Sequence, residues 1–224
     1  MIPAPPGPIG LLGGTFDPVH FAHLRLAEEA LERLTLAQVR WIPSGQPGHR
    51  EQPVASTADR VAMVKLAIAG HPRFQLDEAD AWSQQAVYTV NTLERLRSEL
   101  SEQIPLVVII GADQLRALDT WREWKRLFDL AHIAVAERPG YPVAQANLPP
   151  QVAAQYANRK AAPAGLSQAP SGRIVLFPMA GLDISASACR ETIATGRSVR
   201  YLLPDAVLDY IASHRLYSQE MSTP

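Results

Sequence analysis

Two histidines three residues apart, His20 and His23, follow a glycine pair at Gly13-Gly14 within the segment GGTFDPVHFAHL. On a helix this spacing puts both rings on one face, beside the glycine loop. Paired imidazole donors there suit a reaction in which negative charge grows on phosphoryl oxygens. The glycines let the backbone approach a ligand closely. Asp17-Pro18 reads as a helix start, with Asp as cap and Pro in first position, and a helix N-terminus attracts an anion. Neither G-x-x-x-x-G-K-[ST] nor G-x-G-x-x-G occurs, so the segment is neither a P-loop nor the dehydrogenase fingerprint. Each feature alone has a plain structural reading: a turn for Gly-Gly, a partial metal site or two surface residues for the histidines. Their order along the chain is the more specific signal.

The elements that must hold these residues alternate. A short apolar run, Ile9 to Leu12, predicts a first strand before the glycines, and Leu24, Ala27, Leu31 and Leu34 predict a helix after them. Val39 to Ile42 predicts a second strand, and Pro43 to Val54 a loop. Ser56 can cap a helix with Val61, Val64 and Ile68 on its apolar face. Further strands are expected at Phe74 to Leu76, Leu106 to Ile110, His132 to Ala136 and Arg173 to Phe177. Further helices are expected over Val90 to Leu100, from Ser187 as cap to Gly196, and over Pro204 to His214. This alternation predicts an α/β fold, a Rossmann-like doubly wound parallel sheet with helices on both faces in a single domain. The domain should span 9–217, between a flexible extension at 1–8 and a tail at 218–224, with a mobile loop over 157–172.

Composition sets limits. The 224 residues are 47% hydrophobic, enough for one sizeable core, and 21 Lys+Arg against 22 Asp+Glu give a formal net charge of -1. That balance offers no electrostatic case for nucleic acid or an anionic membrane as partner. The single cysteine, Cys189, rules out an internal disulfide. The N-terminus lacks a basic n-region, and the longest strongly apolar run, Leu106 to Ile110, is too short to span a bilayer. A cytoplasmic location is expected, and a homo-oligomer is left open.

GGTFDPVHFAHL resembles the signature of the bacterial nicotinate-nucleotide adenylyltransferases, within the wider H-x-x-H/H-x-G-H nucleotidyltransferase superfamily. Later segments match in order: IPSGQPGHR (42–50), YT (88–89), IIGAD (109–113), TW (120–121), ERPGYP (137–142), ISASACR (184–190) and LLP (202–204). The resemblance implies transfer of AMP from ATP to nicotinate mononucleotide, giving nicotinate adenine dinucleotide and pyrophosphate in NAD biosynthesis. It implies Mg2+ carried mainly by the ATP phosphates, with no protein metal ligand.

The resemblance also implies site residues. His20 and His23 are the catalytic pair. Gly13, Gly14, Thr15, Phe16, Gly111, Asp113, Arg138, Ile184, Ser185, Ser187 and Arg190 join them on the ATP side. The pyridine nucleotide falls to Ser44, His49, Tyr88, Thr89, Trp121 and Arg122. From the residues alone, Asp113 could equally cap a helix, Arg190 could be a surface arginine in the first turn after Ser187, and Trp121 could be core. Ala22 stands where many members carry glycine, Gly48 replaces a common proline, and Ala186 and Cys189 stand where Ser and Ile are frequent. Two alternatives stay open: adenylylation of nicotinamide mononucleotide or phosphopantetheine, and a nucleotide-binding sensor without turnover.

Overall fold

The computed structural model describes residues 7–45, 52–138, 140 and 143–218. Its elements follow the predicted alternation: β1 (Ile9–Gly14), α1 (Phe21–Arg33), β2 (Gln38–Pro43), α2 (Thr57–Ala67), β3 (Phe74–Leu76), α3 (Thr89–Glu99) and β4 (Leu106–Gly111). After these come α4 (Ala112–Arg116), α5 (Leu127–Leu130), β5 (His132–Glu137), α6 (Pro150–Arg159), β6 (Lys160–Ala161), β7 (Ile174–Pro178), α7 (Ala186–Ala194) and α8 (Asp205–Ser213). All the strands are parallel, in one seven-stranded sheet of order β3-β2-β1-β4-β5-β7-β6. No helix among the described residues is long and apolar enough to cross a membrane.

Alternating side chains of each strand feed two apolar layers. Leu12, Val107, Ile109 and Ala134 pack with residues of α1, α2, α7 and α8 on one face. Leu11, Val108, Ile110 and Val135 pack with residues of α3, α4, α5 and α6 on the other. The helices follow from period: Val90, Leu93 and Leu96 fall on one stripe of α3 and are all buried. Each fully buried aliphatic side chain contributes about 1.5–3 kcal/mol. Ser56 caps α2 as predicted, accepting from the Asp59 N–H at 3.1 Å.

One buried carboxylate ties α1 to the chain leaving β7. Glu29 of α1, with 1% of its side chain exposed, accepts from Arg25 Nε at 2.8 Å, Arg33 Nε at 2.9 Å and the Ala180 N–H at 2.9 Å. Burial pulls its pKa upward, and these donors outweigh that and hold it at about 2. The bond to Ala180 fixes the chain leaving β7 against α1, upstream of ISASACR.

Three expectations are corrected. Asp17-Pro18 does not start a helix: the peptide is cis, α1 begins at Phe21, and its N-cap is His20. The Asp17 carboxylate instead accepts from the Val54 and Ala55 N–H groups and the Tyr217 hydroxyl. Ser185, not Ser187, caps α7, accepting from the Ala188 N–H at 3.2 Å. The stretch 157–172, expected as a loop, carries the end of α6, strand β6 and a 3₁₀ turn over Pro163–Ser167. Leu166 of that turn is fully buried, and Lys160 and Ala161 pair with Ile174 and Val175, extending the sheet by one strand. The extension expected at 1–8 and the tail at 218–224 fall mostly outside the described residues. Pro8, which is described, accepts from the Ala37 N–H at 2.8 Å.

Candidate active site

The winding reverses between β1 and β4, neighbours whose chains continue to opposite faces. In open parallel sheets, ligands bind at such a switch point, at the carboxyl ends of the strands. A cleft of about 570 Å³ lies there. Gly13, Gly14 and Thr15 line it from the end of β1, and Ile110, Asp113 and Gln114 from the end of β4. Ser44, Tyr88, Thr89, Trp121 and Arg122 line it too. His49 lies outside the described residues, as does Gly48.

The glycines have distinct reasons. A Cβ on Gly13 would meet nothing within 4 Å, so this backbone borders open space. A Cβ on Gly14 would come within 2.9 Å of the Phe16 ring. Phe16 sits at φ 53, folded back and buried, with its ring edge-on to His23 at 5.1 Å. That left-handed turn re-aims the chain between β1 and the histidines.

His20 and His23 come together as the spacing predicts, though not as two residues on one face within a helix. His20 is the N-cap and His23 lies in the first turn; their rings stack at 3.7 Å. The His20 N–H donates to His23 Nδ1 at 3.3 Å, which leaves the proton of a neutral His23 on Nε2. His20 is 5% exposed and its Nδ1 has no hydrogen-bond partner among the described residues. Burial, the main cause, lowers the His20 pKa to about 4; its own backbone opposes this and the charge of Arg138 adds to it. Burial first, then the neighbouring His20, hold His23 well below the usual imidazole value. Both rings are therefore neutral at pH 7.

A stability prediction follows from that depression. The unfolded chain protonates His20 near 6.5 and the folded chain near 4. The folded form thus refuses a proton that the unfolded form takes up, and stability is lost as pH falls from 6.5 towards 4. At roughly pH 5.5 the loss should be about 1 kcal/mol. Urea unfolding of wild type and His20→Gln at pH near 7.5 and 5.5 checks it. Equal pH dependence in the two proteins would remove the burial account.

The remaining positions divide. Tyr88 is the N-cap of α3 and Thr89 its first residue, and the Arg122 guanidinium lies 5.0 Å from the Tyr88 ring centre. Trp121 is half-buried against the β4 side of the core. Gly111 is the N-cap of α4, so Asp113 does not cap it; Gln114 Oε1 accepts from the Gly111 N–H at 3.0 Å. Ile184 packs against the core, and Arg138 is exposed near His20. Arg190 is the fifth residue of α7, beyond the first turn expected for it, and its Nη1 donates to the Asp17 carbonyl at 2.6 Å. Cys189 is fully buried, and burial raises its thiol pKa, as a packing role requires. Ala22 is buried as well.

Residues 11–192 match the family described as cytidylyltransferase-like. A protein of Dechloromonas aromatica named "Probable nicotinate-nucleotide adenylyltransferase" is 51% identical over 94% of this chain and 97% of its own. One of Laribacter hongkongensis with the same name is 45% identical over 95% of each. The chain belongs to the nicotinate-nucleotide adenylyltransferase family. In fold it is similar to the Plasmodium falciparum nicotinic acid mononucleotide adenylyltransferase solved with NaAD, at a TM-score of 0.71 and 17% identity over 94% of this chain and 97% of that one. An adenylyltransferase of this family must bring two nucleotides together, and the cleft is continuous from the glycine loop to Trp121.

Several residues of this site carry no motif. Asp80 and Thr92 line the cleft and are hydrogen-bonded to each other, with Arg95 Nη2 on the other Asp80 oxygen at 3.3 Å. Burial, the leading cause, raises the Asp80 pKa. Arg60 of α2 is 1% exposed and bonds to both lips of the cleft. Its signal was a charge at i−3 and i−4 from the buried Met63 and Val64, on the face of a helix meant to be apolar.

Proposed function

We propose that the chain transfers AMP from ATP to the phosphate of nicotinate mononucleotide, releasing pyrophosphate and forming nicotinate adenine dinucleotide in NAD biosynthesis. The observation that carries this is the single cleft that joins Gly13–Thr15 to Tyr88, Thr89 and Trp121. ATP lies along the glycine loop, the two histidines, Asp113, Arg138 and the start of α7. The acceptor lies towards Ser44, Tyr88, Thr89, Trp121 and Arg122, with His49 in the adjoining segment. A cytoplasmic location goes with this reading.

The acceptor phosphate oxygen attacks the α-phosphorus in line. A new P–O bond forms, the bond to the β-phosphate bridge breaks, and pyrophosphate leaves with the electron pair. No side-chain nucleophile is needed; alignment and charge stabilisation supply the rate. His23 donates through Nε2–H, since Nδ1 is taken by the His20 N–H. A neutral ring stays neutral until phosphate charge arrives, and growing charge on phosphoryl oxygens then strengthens its donation. Asp113 accepts from ribose hydroxyls.

Mg2+ accompanies ATP. Mg2+ tends to keep several water ligands, so phosphate oxygens and water would hold it. When bound it neutralises part of the polyphosphate charge.

The nicotinate carboxylate finds the N-terminus of α3 at the cleft, where backbone N–H groups and the helix dipole favour an anion. Asp80 stands nearby, but Thr92 and Arg95 engage its carboxylate.

Pyrophosphate release from ATP and Mg2+ with nicotinate mononucleotide, nicotinamide mononucleotide and phosphopantetheine tests the assignment. Nicotinate mononucleotide should be the best acceptor; preference for another overturns it. Trp121→Ala should raise KM for the mononucleotide about tenfold through lost stacking and leave KM for ATP unchanged. An effect on ATP alone would reverse the two halves of the cleft.

A further inference from the structure

Arg60 is a charged side chain sealed into the protein, and three of its four hydrogen bonds among the described residues go to backbone carbonyls at the cleft's edge. Nη1 donates to the carbonyls of Thr15 at 2.7 Å and Ser44 at 2.6 Å. Nη2 donates to the Gly45 carbonyl at 3.0 Å and to Thr57 Oγ1 at 3.2 Å. Thr15 belongs to the loop after β1, and Ser44-Gly45 follow β2. Thr15 and Ser44 both line the cleft. The Ser44 lip is also joined to the end of β1, where the Ser44 N–H donates to the Gly14 carbonyl at 2.9 Å.

The far side of the Ser44-Gly45 lip is closed as tightly. A Cβ on Gly45 would come within 2.7 Å of the Ala81 carbonyl and 2.8 Å of the Asp80 carbonyl. Gly45 is thus wedged between the guanidinium and the backbone of Asp80-Ala81, whose carboxylate side chain lines the same cleft. A planar guanidinium with a fixed fork can hold several carbonyls at set positions, which an ammonium on a flexible stem cannot do.

We propose that Arg60 is a positioning residue for adenylyl transfer: it locks the phosphate-side loop at Thr15 to the acceptor-side lip at Ser44-Gly45, and so sets the distance across which the two nucleotides meet. The proposal rests on the function given above. It also accounts for a buried cation that makes no ion pair among the described residues. Three carbonyls and a hydroxyl solvate it, the Asp17 charge attracts it from farther off, and its field reaches a loop expected to receive polyphosphate.

The test uses Arg60→Met, Arg60→Lys and Gly45→Ala, with Val152→Ala as a control that truncates the fully buried Val152 of α6, away from the cleft. Thermal melting, ATP affinity by calorimetry, and kcat and KM with both substrates are measured at a temperature where each protein is folded. Arg60→Met should lower kcat about a hundredfold, as a displacement of about 1 Å does. It should weaken ATP about tenfold. Arg60→Lys should fall between it and wild type. Gly45→Ala, which leaves the charge in place, should show the same fall in kcat in milder form. Val152→Ala should lose melting temperature without losing kcat. If Arg60→Met does not fold, Arg60→Lys and Gly45→Ala decide. The proposal is overturned if folded Arg60 variants keep kcat within about twofold of wild type, or if Val152→Ala at an equal fall in melting temperature loses as much kcat. Wild type that binds ATP but does not adenylylate nicotinate mononucleotide would refute the substrate assignment alone; the ATP affinities of the same variants still decide the role of Arg60.

Discussion

His20→Ala should lower kcat by about a hundredfold or more and leave the fold intact, the scale of losing one transition-state donor. The fold should survive because the ring makes no side-chain cap bond to α1 and, among the described residues, its Nδ1 has no partner to strand. What the variant removes is one of two rings stacked at 3.7 Å. Both are kept neutral mainly by burial, so their cost is already met in the free enzyme. KM for ATP should rise much less than kcat falls, because a donor that tightens as charge develops acts on the transition state more than on the ground state. Steady-state kinetics with ATP and nicotinate mononucleotide measures both. Wild-type turnover from a folded His20→Ala protein would remove the histidine pair from the chemistry.

The second large effect is on stability. Asp17→Ala should cost about 4 kcal/mol, a fall in melting temperature of roughly 8–16 °C for a chain of this size. Asp17 is 4% exposed. Its carboxylate accepts from the Val54 N–H at 2.8 Å, the Ala55 N–H at 3.1 Å and Tyr217 Oη at 2.7 Å. Arg190 Nη1 lies 3.7 Å from it while bonding the Asp17 carbonyl. Truncation leaves several donors without acceptors, at about 1–3 kcal/mol each, and strips Arg190 and Arg60 of a nearby negative charge. The Tyr217 phenol reports the same contact: burial, then the bond to Asp17, raises its pKa far above the usual value. Asp17→Asn keeps one acceptor oxygen and should lose about half as much. A fall below about 2 °C for Asp17→Ala would show that the hub contributes little.

Much of this was legible in the chain. The alternation of apolar runs and helical stripes read out β1, β2, β4 and β5 and the buried faces of α1, α2 and α3, because period is a local property. The closeness of the glycine pair to both histidines was legible for the same reason: the end of β1, the turn and the first residues of α1 are neighbours in sequence. The short strand β6 was not. An Ala-, Gln- and Pro-rich stretch has weak β-propensity, and Lys160-Ala161 pair only because β7 offers an edge.

Asp17 marks where sequence reading stopped. As a residue type before proline it looked like a cap, and only the fold reveals partners 37 and 200 residues away. Arg190 was placed on the ATP side by its position in a motif; the fold adds a bond from its Nη1 to the Asp17 carbonyl, 173 residues distant, that no motif indicates. Arg60 carried no motif at all. By itself, then, the sequence determined a doubly wound α/β sheet, the family, and a glycine turn followed by His20 and His23 at the end of the first strand. Tertiary structure alone decided that His20 is a cap, that its imidazole is buried and that of His23 partly so with both pKa values lowered, and that Asp17, Arg60 and Arg190 brace the loops. The reason is physical: period and turn chemistry act between neighbours in the chain, whereas burial and hydrogen-bond partners exist only once distant segments have met.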